Sequence, residues 1–226
     1  MRDVMTSSRA GSISGGICGI AGGLLFFAAL GFAPPPPALG APANEIVGYY
    51  AEHHRAALIA AFVFAASTPF LLTWTGALAG RLRDAEGSGA WLYLVFLGGG
   101  VAYATIATAV SFIWMALAAR GWSAGEGLAQ TLSDFTNFGY VFIGFGALVF
   151  VGAASVVMMR TGEVARTLGL LGLIVAALLV LYLSTALFSE GLMAGGGVVS
   201  IMGFVALGLW LLAASAMMLV RAPANR

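Results

Sequence analysis

The sequence predicts an all-α bundle of six membrane-spanning helices with both chain ends in the cytoplasm. Three observations predict it. Hydrophobic residues make up 61% of the 226 and charged residues only 8%, against about one quarter charged in an average soluble domain. Six apolar runs reach the length of about 20 residues that a helix needs to cross a hydrocarbon core about 30 Å thick. None of the six contains Asp, Glu, Arg or His, and none alternates with the period of two of a lipid-facing barrel strand. The same figures exclude a soluble domain and a disordered chain. A single cysteine, Cys18, excludes a disulfide-built secreted module, and a formal charge of +1 without a basic tract excludes nucleic acid as a partner.

The first span, 13–33, follows Arg2 and Arg9 and stops at Pro34 to Pro37, which cannot continue a helix and favour an extended polyproline segment. Gly15, Gly19 and Gly23 recur every four residues along it and form a flat stripe that lets another backbone approach. Packing inside the bundle is the economical use of that stripe; a homo-oligomer is the other. A cleaved secretory signal is a rival reading of this span, but its apolar stretch is longer than a usual signal core. Cys18, inside the span, reads as a small buried hydrophobe.

A short outer helix precedes the second span, 56–80. Asn44 is suited to cap it and Glu45 to meet the positive end of its dipole. It runs through Tyr49, Tyr50, Glu52, His53, His54 and Arg55 straight into the second span. Pro69 lies mid-span, where it removes one backbone hydrogen bond and clashes with the Ala65 carbonyl, predicting a kink. The third span is 90–119. A second outer helix, with Ser123 and Glu126 at capping-box spacing, extends to about Leu132. Ser133 or Asp134 then caps the fourth span, 138–159. The fifth and sixth spans are 168–188 and 197–220. Connections 81–89 and 160–167 are too short to hold a domain, so any chemistry belongs in the bundle or at its outer rim. Spans two and four both follow a polar outer helix and end in an Arg-containing turn, a pattern that fits parallel helical-hairpin repeats.

Eight of the ten arginines fall in the two termini and these two connections; Arg55 and Arg120 are the exceptions. The positive-inside rule therefore puts both termini in the cytoplasm. Five of the nine carboxylates fall outside. Trp74 and Trp91 are expected near the inner interface and Trp114 and Trp122 near the outer one, where amphipathic indoles are favoured. Trp210 lies deeper. The absence of lysine beside so much Ala and Gly reads as a GC-rich genome.

Three groups of residues are candidates for function. Glu52, His53 and His54, with Asp134, Asn137 and Glu190 on the same outer side, offer imidazole and carboxylate groups of the kind that bind divalent metal. The alternative is a polar interfacial turn, favoured because two His at i and i+4 are missing; no metal is assigned. Pro69, Ser67, Thr68, Thr73, Thr105, Thr108 and Ser111 outline either a hydroxyl-lined cavity with a hinge or hydroxyls bonded to their own helix carbonyls. Gly15, Gly19 and Gly23 serve helix packing. Adjacent His53 and His54 point about 100° apart and cannot clamp one haem, and no catalytic residue or cofactor is assigned. Gly98 to Gly100 and Gly195 to Gly197 lack a phosphate-loop lysine and read as packing positions. Charge-free spans argue against ion-coupled transport.

The segment from Glu45 to Arg55, the segment Asp134-Phe-Thr-Asn-Phe and the run from Thr161 to Gly172 resemble a loose group of small bacterial six-helix membrane proteins. That resemblance implies a fold and no activity. The leading reading is a non-enzymatic accessory or structural protein of the bacterial cytoplasmic membrane, whose partners are the bilayer, a bound lipid or another membrane protein. A permease for an uncharged or amphipathic molecule, with its path around Pro69, comes second. An outward-facing metal protein or enzyme is third.

Overall fold

The computed structural model describes residues 2–120, 123, 125–162, 165–187 and 198–221. Among them there are six α-helices and no strand: α1 (Arg2–Phe32), α2 (Ala43–Glu86), α3 (Leu92–Arg120), α4 (Glu126–Thr161), α5 (Arg166–Ser184), continued by a 3-10 turn (Thr185–Leu187), and α6 (Val198–Val220). All six are long and apolar enough to cross a membrane. Each packs on its neighbours in sequence, α6 returns to α1, and α2 also touches α4, so the helices close into a ring. Trp122, Glu190 and the Gly195 to Gly197 run lie outside the described residues, as do positions 188 and 197 that bound the fifth and sixth expected spans.

The outer helix expected ahead of span two runs straight into it, as the sequence suggests, within the single helix α2, and the one expected ahead of span four is likewise continuous with α4, so neither is a separate short interfacial helix. Nothing between 43 and 56, or between 126 and 138, breaks a helix, and the buried faces run on without a change of phase. Ile46, Tyr50 and Ala57 are buried on α2, as are Ala129, Ser133 and Thr136 on α4. The 44 residues of α2 and 36 of α4 reach about 66 Å and 54 Å at 1.5 Å per residue, well beyond a hydrocarbon core of about 30 Å. The expected caps move accordingly. Pro42 and Gly125 occupy the N-cap positions without a side-chain cap bond. Asn44 lies inside the first turn of α2, and Ser133 and Asp134 are interior to α4. The Ser123 hydroxyl instead donates to the Arg120 carbonyl at the end of α3, at 3.1 Å.

At the opposite end of the bundle, charged side chains close the helix ends. The Glu86 carboxylate accepts the backbone N–H groups of Leu92 (3.3 Å) and Tyr93 (2.9 Å) at the start of α3, where a negative charge meets the helix dipole. The Arg81 guanidinium donates to the carbonyls of Met218 (3.4 Å) and Arg221 (3.3 Å) at the end of α6, the favourable sign for a helix C-terminus. Glu86→Ala is expected to lower stability by about 1 kcal/mol, the usual effect of losing an N-terminal cap. Thermal unfolding in detergent checks this; an unchanged midpoint would show that water replaces the carboxylate at no cost.

Glycines set the helix separations. A Cβ at Gly146 would stand 2.7 Å from the Tyr103 nitrogen, and one at Gly99 2.7 Å from the Phe150 nitrogen, so α3 and α4 meet backbone to backbone. The α1 stripe is used inside the chain: a Cβ at Gly15 would meet Ala77, one at Gly19 would meet Trp74 and Ser215, and one at Gly23 would meet Leu212. Large apolar side chains face outward, including Phe62 and Phe112, as suits a surface surrounded by lipid.

The tryptophans are where the sequence reading needs correction. Trp91 is exposed, but Trp74 and Trp114 are buried core residues, as is Trp210. Their residue type suits an interface, yet each lies on the helix face turned to the ring's interior. Trp74, Phe96, Phe150 and Trp210 pack in mainly edge-to-face contacts with centroids 5.9–6.3 Å apart. The Trp210 N–H donates to the Leu168 carbonyl at 3.1 Å, whereas the Trp74 N–H is buried without a partner.

Candidate functional site

The chain between α1 and α2, residues 33–42, is a strap across one end of the bundle. Its prolines have no N–H to give; the Pro42 carbonyl accepts the Glu45 and Ile46 N–H groups of α2 (3.0 and 3.2 Å), and side chains of α2 and α4 bind the rest of the strap. The Tyr49 hydroxyl donates to the Pro34 carbonyl at 2.6 Å. The Asn137 side-chain N–H groups donate to the carbonyls of Pro37 (3.3 Å) and Ser133 (3.1 Å). Asp134 Oδ1 accepts the Gly40 N–H at 3.4 Å, and Gln130 Nε2 lies 3.5 Å from the Ala41 carbonyl. Gly40 has φ +79°, a value that L side chains rarely adopt, which turns the strap toward α2.

Beneath the strap is a cavity of about 300 Å³. Every helix contributes to its wall: Phe26, Ala29 and Leu30 from α1, Phe64 from α2, Trp114 from α3, Asn137, Tyr140 and Val141 from α4, Tyr182 from α5, and Ile201, Phe204 and Val205 from α6. Pro34, Pro35 and Pro36 form the roof. Phe26, Phe64, Tyr140, Tyr182 and Phe204 are linked by ring contacts of 5.0–6.3 Å. The wall is therefore aromatic and almost wholly apolar. The buried Trp114 N–H has no hydrogen-bond partner of good geometry.

The expected outer polar group divides in two. Asp134 and Asn137 bind the strap, as described. Glu52 is exposed, with its carboxylate 3.9 Å from His53 Nε2, and His53 packs edge-on against Tyr49 at 5.1 Å. His54 follows on the same helix and is half-buried. Among the described residues no group of three or more His, Cys, Asp or Glu side chains could hold a metal ion.

The hydroxyl group around Pro69 lies on the α2–α3 seam, and its members bond chiefly to their own helices. Ser67 donates to Phe64 (2.6 Å), Thr73 to Pro69 (3.0 Å), Thr108 to Ala104 (2.8 Å) and Ser111 to Ala107 (2.7 Å). Thr68 donates to the Ala65 carbonyl at 2.7 Å, the acceptor whose usual backbone donor Pro69 removes. Thr68 and Thr108 touch across the seam at 3.3 Å. Pro69, Thr73 and Thr105 are exposed, and none of the seven residues lines the cavity.

The cavity was not readable as a motif, because its wall takes one to three residues from each of six helices. The available signal was the placement of Phe26, Phe64, Trp114, Tyr140, Tyr182 and Phe204 in the outer half of each of the six expected spans. Comparison with protein-family models, curated proteins and solved structures returns no match.

Proposed function

We propose that this is a non-enzymatic protein of the bacterial cytoplasmic membrane, both termini inside, that holds one apolar or amphipathic small molecule in the cavity under the strap. The observation that carries this reading is the cavity itself: about 300 Å³ of aromatic-walled space, within the size range of small-molecule sites. Its wall holds no acid–base pair, and five of the hydroxyls that suggested a polar path, Ser67, Thr68, Thr73, Thr108 and Ser111, donate to helix carbonyls elsewhere. The Arg distribution supports the orientation. A molecule leaving lipid for this cavity gains little from the hydrophobic effect, since lipid tails are as apolar as the wall. Preference comes from dispersion and ring contacts with a preformed surface.

Native mass spectrometry of the full chain in a mild detergent tests the proposal. The parent is expected to carry one bound small molecule per chain, and Ala29→Phe, which fills the cavity from α1, is expected to lose it. Val141→Phe fills the cavity from α4 and provides a second variant. A parent without a bound molecule, or one retained equally by both folded variants, overturns the reading.

A further inference from the structure

We infer that the occupant is a hydrocarbon chain of a lipid in the leaflet on the strap side, and that it reaches the cavity sideways, between α1 and α6. This rests on the cavity being a binding site, as proposed above. The route follows from which parts of the wall are tied and which reach the surface. Toward water, the strap is bonded to α2 through Tyr49 and to α4 through Gln130, Asp134 and Asn137. A molecule coming from that side must displace a segment whose carbonyls would then need new donors. Toward lipid, Leu30 of α1 is 53% exposed and Ile201 of α6 is 54% exposed, and both also line the cavity. Two apolar, flexible side chains thus belong at once to the inner wall and to the surface that faces acyl chains.

The chemistry selects the same occupant. An alkyl chain passing Leu30 and Ile201 breaks no hydrogen bond and leaves no polar group unsatisfied, whereas a headgroup drawn into an aromatic wall would lose its hydration. The headgroup therefore stays at the surface and only the chain enters.

The test uses the full chain with Cys18 replaced by alanine, reconstituted in phosphatidylcholine vesicles containing a phosphatidylcholine with a diazirine on one acyl chain. After photolysis, adducts are expected on the interior residues Phe26 and Phe204 as well as on the lipid-facing Phe62 and Phe112. Joining Leu30→Cys to Ile201→Cys with a short bismaleimide before the probe lipid is added is expected to cut interior labelling at least tenfold and leave lipid-facing labelling unchanged. Joining Ala41→Cys to Gln130→Cys, which fixes the strap, is expected to leave both unchanged. Interior labelling that survives the first bridge, or is lost only with the second, overturns the sideways route while leaving the cavity as a binding site. Labelling confined to lipid-facing residues overturns the lipid occupant; if mass spectrometry still finds a bound molecule, the proposed function stands without it.

Discussion

Gly146→Leu is expected to lower the stability of the bundle by about 3 kcal/mol, the upper part of the overpacking range, with much of the protein aggregating on size-exclusion chromatography. The first atom of the new side chain would stand 2.7 Å from the Tyr103 nitrogen, 2.9 Å from the Tyr103 Cα and 3.0 Å from the Gly99 carbonyl oxygen. All three are backbone atoms of α3, so no rotamer change relieves the contact; the two helices must separate. Separation would also open the packing of Tyr103 against Phe150, whose rings are 5.7 Å apart. Gly152→Leu is the control on the same helix, because a Cβ there meets nothing within 4 Å. It should be neutral or slightly stabilising, since leucine is the better helix former by several tenths of a kcal/mol. Equal behaviour of the two variants would show that helix propensity, and not the α3–α4 approach, governs this position.

Trp74 supplies the second large effect. Trp74→Ala is expected to cost about 3–5 kcal/mol, as for other buried aromatic truncations, because its ring contacts Phe96, Phe150 and Trp210. Trp74→Phe is expected to cost about 1 kcal/mol or less. It keeps a ring in place and removes an indole N–H that is buried without a partner, and relief of that unsatisfied donor offsets part of the void. Trp210→Phe makes the comparison sharp, since that N–H donates to Leu168 and its loss forfeits a hydrogen bond. Thermal midpoints in one detergent should rank Trp210→Phe as more damaging than Trp74→Phe; the reverse order would mean that the Trp74 N–H is satisfied in the membrane.

The six spans were readable because hydrocarbon thickness imposes a length, and length is a property of the sequence. Helix faces were less readable. In an ordinary surface helix polarity separates core from surface, but here both sides are apolar, and Phe64 and Phe62 differ only in direction. That is why Trp74 and Trp114 passed for interfacial anchors. Caps misled for a related reason: Asn44, Ser123 and Asp134 have the right chemistry for helix starts, but continuity of burial along α2 and α4 decides where those helices begin. Asp134 and Asn137 were readable as polar groups at one rim. Their partner was not, because the strap they bind is about 100 residues away in sequence.

The closure of the ring has a consequence for biogenesis. The glycine face of α1 finds part of its complement in Ser215 and Leu212 of α6, nearly two hundred residues downstream. At translation rates of about 5–20 residues per second, the first helix waits roughly 10–40 s for the last. During that interval α2 is the main one of α1's final neighbours to hold it, and the part of the glycine face that α6 will cover stays open. A glycine groove is well suited to the delay, because it presents neither a polar side chain to hydrocarbon nor a bulky knob that would have to be displaced when α6 arrives.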